Sequence, residues 1–127
     1  FDGELEGEAV ISKGDFQRSL KLASLVAKDS SVGIALDGTK ISITTKEQDR
    51  GASQDSVICQ SSEGESSTFS AWKYLVKAVD TCSSPWITLQ FRQLPNNMGA
   101  ALIVSDNEYQ HLIFPVLPKS NDEEDEE

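Results

Sequence analysis

Two sets of residues in this 127-residue chain have types and spacings that could do chemistry. The first is a set of cations. The windows 13–29 and 69–82 contain Lys13, Arg18, Lys21, Lys28, Lys73 and Lys77, six of the eleven Lys and Arg residues, against only Asp15, Asp29 and Asp80. Long cationic side chains in rows can meet the phosphates of a nucleic acid, a contact that is electrostatic, sensitive to salt and blind to base sequence. A solvated helix face with scattered lysines has the same pattern, so spacing alone leaves both readings open. Few aromatic residues accompany these bases, which argues against a platform for stacking single-stranded bases.

The second set is what a catalyst would use, and it is sparse. His111 is the only histidine, on a predicted strand with no carboxylate or cysteine placed beside it, and it reads as structural. Cys59 and Cys82 are not in metal-ligand spacing and read as reduced, partly buried thiols of an intracellular protein. There is no Gly-x-Ser-x-Gly elbow, no phosphate-cradling glycine loop and no His-Glu-x-x-His. The serines cluster in two polar loops as turn formers, and the terminal carboxylates lie in segments too polar to fix a calcium cage. The expectation is a protein that is not an enzyme and holds no metal or cofactor.

The formal charge of −10 is unevenly placed. Of 21 acids, six lie in 120–127 and four in 1–8; removing these ten leaves eleven acids against eleven bases. The global charge therefore describes the ends and says little about what the body binds. Residues 1–8 read as an acidic N-terminal extension or linker, 9–118 as one domain, and 119–127 as an acidic, disordered tail. A composition of 38% apolar and 25% charged residues is that of a soluble globular domain. No apolar run approaches the roughly 18 residues of a membrane span. No signal peptide is visible, and Phe1 in place of methionine points to a fragment or processed form.

The cations need elements to position them. In 69–81, Ala71, Leu75, Ala78 and Val79 fall on one side of a helix at about 100° per residue, with Lys73 and Lys77 on the other and Ser70 at the N-cap position. A second helix is predicted over 16–28, where Phe16, Leu20, Ala23 and Ala27 cluster with Val26 and Leu22 at their flanks. Gln17, Arg18, Lys21 and Lys28 lie across from them, and Leu25 projects among the bases. Strands are predicted at 8–11, 33–36, 40–45, 56–60, 86–92, 99–104 and 109–114, with Asp37-Gly38 as a hairpin turn and polar loops at 46–55 and 61–67. The order is strand, helix, three strands, then the same again, with repeat units of about 9–60 and 65–116. The predicted class is α+β: a duplicated β-α-β-β-β unit with two helices packed on one face of an antiparallel sheet.

This repeated plan resembles one domain of the DNA sliding clamps, both the bacterial beta clamp and the PCNA type. Ala71-Trp72-Lys73-Tyr74-Leu75 is similar to the Ala-x-Arg-Tyr-Leu that opens a helix in these proteins. The stretch from Leu22 through Gly33-Ile34-Ala35-Leu36-Asp37-Gly38 to Ile43 looks like the first half of a beta-clamp C-terminal domain. Phe114-Pro115-Val116 resembles the Met-Pro-Met or Met-Pro-Val near the end of the bacterial protein, and His111-Leu112 with Pro118-Lys119 the end of PCNA. The pattern departs where Leu117 stands in place of an arginine and the chain runs on. In that family, domains join edge to edge into a ring whose basic helical wall encloses duplex DNA. The resemblance implies a non-enzymatic processivity factor of replication and repair, with Arg18, Lys21, Lys28, Lys73 and Lys77 facing duplex DNA without sequence preference. It also implies that Leu112, Phe114, Pro115 and Val116 line a pocket for short hydrophobic peptides of polymerases and other factors. A ring needs about six such domains, so other clamp domains or subunits are implied partners; no membrane is. The alternative is a clamp-like fold used as a protein-docking or sensory module without DNA.

Overall fold

The computed structural model describes residues 3–27, 31–47, 51–95 and 99–116. Strand β1 (Leu5–Ser12) alternates, burying Gly7, Ala9 and Ile11. It starts earlier than the predicted 8–11 and takes in part of the span read as an extension. Helix α1 (Lys13–Ala27) follows without a loop. Its N-cap is Ser12, whose Oγ accepts the Asp15 amide at 3.2 Å, so the helix begins three residues ahead of the predicted 16–28. Phe16, Ser19, Leu20 and Ala23 are buried. Leu22, expected at the flank of the apolar face, is instead exposed.

Strands β2 (Ser31–Asp37) and β3 (Lys40–Glu47) form the expected hairpin, with Gly38 at φ 68° in the turn. Strand β4 (Gly51–Ile58) starts within the predicted 46–55 loop. The 61–67 loop is two strands, β5 (Ser61–Gly64) and β6 (Ser66–Ala71). Strand β5 is illegible because serine, glutamate and glycine carry little strand preference; β6, whose place ahead of the second helix the repeated plan implies, runs on to Ala71, and backbone pairing to β1 and β2 forms the two. Gly64 between them sits at φ 84°, and a Cβ there would lie 2.3 Å from Glu6 O, so only glycine fits. Ser70 belongs to β6 and caps nothing; helix α2 (Trp72–Thr81) starts after Ala71 with no side-chain cap. Strands β7 (Trp86–Gln93), β8 (Ala100–Ser105) and β9 (Gln110–Ile113) complete the described elements.

Among the described residues every strand pairing is antiparallel. The class is α+β as expected, but the strands form two sheets where the sequence implied one. The orders are β5-β1-β7-β8-β9 and β4-β3-β2-β6. Where β6 meets β8, a buried side-chain bond from Thr68 Oγ1 to Ala100 O (2.6 Å) stands in place of a backbone ladder, and the layer breaks. Phe16 and Leu20 of α1 and Leu75 and Val79 of α2 share one core with Ile11, Ile34, Ile43, Leu89, Phe91 and Leu102. Each such large side chain contributes about 1.5–3 kcal/mol on burial, and this is what presses the helices onto the sheets. Ser19 Oγ adds a bond to Asp55 Oδ2 at 2.5 Å, tying α1 to β4.

Candidate nucleic-acid interface

The two helices pack side by side and antiparallel. Gln17 Nε2 donates to Asp80 Oδ1 at 2.8 Å and Trp72 Nε1 to Leu20 O at 2.8 Å, while Lys13 Nζ bonds Cys82 O at the C-cap of α2. Between them runs a groove of about 290 Å³ floored by Leu20, Trp72 and Val76 and rimmed by Lys21 and Asp80. Local spacing gives no sign of this reach of the Trp72 indole across to the neighbouring helix.

Burial fixes which way the cations project. With Leu75, Ala78 and Val79 inside, Lys73 and Lys77 fall on the opposite side of α2. With Phe16, Leu20 and Ala23 inside, Arg18 falls on the opposite side of α1, and Lys21 lies between that face and the groove. All four are exposed on one helical layer. Lys28 lies outside the described residues. Arg18 is partly neutralised by Asp15 (2.5 Å) one turn earlier, though its side chain stays 64% exposed. Among the described residues Lys21, Lys73 and Lys77 make no ion pair. Leu25, 72% exposed, stands on this face beside them.

The second predicted surface lies at the end of the described chain. Leu112 and Phe114 are 40% and 56% exposed, Ile113 between them is buried, and Pro115 and Val116 are half-buried. The Val116 amide donates to Phe69 O at 2.9 Å, which brings this segment against β6. Phe69 is itself exposed, its ring close over Gly33, where a Cβ would lie 3.3 Å from Phe69 Cε1. Sequence reading missed Phe69 as a neighbour of this segment, because nothing local signals a contact made across the fold.

Burial pushes the Cys59 thiol up, and burial with the nearby Asp106 charge does the same for Cys82, so both stay protonated. Asp106 accepts the amides of Glu108 and Tyr109 at 2.8 Å each, and of Ser83 and Ser84 at 2.7 and 3.0 Å. These bonds hold its carboxyl well below the usual range and tie the α2–β7 loop to the β8–β9 turn. His111 stacks on Tyr109 at 6.5 Å between ring centres. Among the described residues no cluster of three or more His, Cys, Asp or Glu could hold a metal ion, and no helix is long and apolar enough to cross a membrane.

No protein-family model matches the chain, and no curated protein does. Solved structures do. The DNA polymerase sliding clamp of Bacillus subtilis superposes with a TM-score of 0.80 at 18% identity, over 94% of this chain and 32% of that one. The DNA polymerase III beta subunit of Thermotoga maritima gives 0.81 at 16%, over 94% and 33%. That of Borrelia burgdorferi, in complex with a natural product, gives 0.76 at 17%, over 92% and 32%. The chain has the fold of one sliding-clamp domain and spans about a third of the length of each of these proteins.

Proposed function

We propose that this chain is one domain of a DNA sliding clamp, a non-enzymatic tether that acts inside the cell by helping to enclose duplex DNA and hold polymerase or other factors on it. The observation that carries this is the exposure of Arg18, Lys21, Lys73 and Lys77 on one paired-helix layer, in a fold like that of sliding-clamp domains. Lys28 would extend the row of α1. Such a layer suits phosphates, since it presents charge without any device for reading bases. We also read the fold as a duplicated unit. The orders β4-β3-β2-β6 and β9-β8-β7-β1 support this, because each sheet ends on the first strand of the other half. Leu112, Phe114, Pro115 and Val116 would receive hydrophobic peptides, and the outer edges of the sheets would join other clamp domains into a ring.

The test is topological. The assembled protein should stay on circular duplex DNA and leave it when the circle is cut, since a ring slides off an end. Equal retention on circular and linear DNA would remove the enclosing role. A docking or sensory module without DNA is the second reading, favoured by the exposed Leu112 and Phe114. It predicts peptide binding by a protein that sediments as a monomer.

A further inference from the structure

The cationic face of α2 carries one acid. At about 100° per residue, Lys73, Lys77 and Asp80 fall within about 60° of one another, across the helix from the buried Leu75, Ala78 and Val79. Asp80 is exposed there. It stands in the last turn of α2, a turn without a basic residue, where the C-terminal carbonyls disfavour a carboxylate, so helix stability does not account for its place. Among the described residues it makes no ion pair, although Lys77 lies three residues earlier on the same face and Lys21 shares the rim of the interhelical groove. A neutral group holds its carboxylate instead: the Gln17 amide of α1 donates to Oδ1 at 2.8 Å. That bond crosses the seam between the helices and fixes a full negative charge on it.

We propose that Asp80 is a counter-charge built into this layer, set by Gln17 where it opposes phosphates that approach Lys77 and Lys21, so that the layer holds a duplex loosely and shifts readily from one phosphate to the next. The inference rests on the reading that the paired helices face duplex DNA. A tether of that kind must leave each phosphate as easily as it meets it, whereas every added lysine contact strengthens the hold. A carboxylate one turn from Lys77 subtracts from the attraction without blocking a contact, because the repulsion between like charges falls off only gradually with distance. It is a repulsive element set against binding that is too tight. Arg18 is tempered differently, by its own ion pair with Asp15.

The test is Asp80→Asn in the full chain. Asparagine keeps an oxygen that accepts from Gln17, so the helix pair stays tied and only the charge leaves. Binding of a labelled duplex should tighten about three- to tenfold at 50 mM salt, with a smaller gain at 200 mM, where screening is stronger. Asp37→Asn removes the same charge from the exposed β2–β3 turn and should leave affinity unchanged. An Asp80 that only ties the helices predicts no change on Asp80→Asn. That result overturns the proposal alone if Lys77→Ala weakens binding in the same assay. Equal tightening by Asp37→Asn also overturns it, since net charge would then be the cause. If Lys77→Ala and Asp80→Asn both leave binding unchanged, the helical layer does not meet DNA and the reading beneath the proposal falls with it.

Discussion

Replacing Lys21, Lys73 and Lys77 together by alanine should remove most of the salt dependence of duplex binding. The three ammonium groups are exposed and unpaired among the described residues, so the change should leave the fold within about 0.5 kcal/mol of the parent. Each phosphate contact contributes about −0.9 to the slope of log K against log salt concentration. With Arg18 and Lys28, five contacts give a slope of about −4.5, and affinity falls about 500-fold between 50 and 200 mM salt. The two remaining contacts give about −1.8, a fall of about 12-fold over the same range. Fluorescence anisotropy of a labelled duplex, titrated at several salt concentrations and with two unrelated base sequences, reads both numbers. Lys40→Ala is the control, because it removes the same charge from the exposed β2–β3 turn. If Lys40→Ala weakens binding as much as Lys77→Ala, or if the triple variant keeps the parent slope, the helical layer is not what meets the phosphates.

Three further outcomes follow from the packing. Ser70 is fully buried and its Oγ has no partner among the described residues, so Ser70→Ala should raise stability by about 1 kcal/mol in urea unfolding, the reverse of the loss expected at a helix cap. Gly64→Ala should cost about 1–3 kcal/mol and loosen β5, seen as faster amide exchange in Ser61–Gly64, because it combines a positive φ with a collision on Glu6 O. Asp106→Asn should lower the melting temperature at pH 7 and abolish part of its acid dependence. The folded carboxyl titrates below the unfolded one, so the unfolded chain takes up the proton first. The contribution of Asp106 is therefore intact above about pH 4 and fades as pH falls further, and the difference in melting temperature between variant and parent should shrink over that range.

The helices were legible because their apolar period of 3.6 residues survives in the local order. Leu75, Ala78 and Val79 are buried as that period requires, and Lys73 and Lys77 are exposed. The β2–β3 hairpin was legible through Asp37-Gly38, since the turn demands a positive φ. Strand β5 was not, for its pairing energy lies in backbone groups that every residue possesses. Ser70 misled for a related reason. A serine before a helix and a serine ending a strand look the same until the strand finds β2.

What the sequence by itself determined is the class of elements, the side of each helix that carries charge, and the poverty of catalytic groups. These are matters of residue type and near-neighbour spacing, and the local chain geometry translates them directly. Only the tertiary structure decided that the strands split into two sheets, that Trp72 spans the helix pair, and that Val116 lies against β6. Those depend on contacts between residues far apart in the chain, and such contacts are settled by shared burial and by unclaimed backbone hydrogen bonds, neither of which leaves a mark in local sequence.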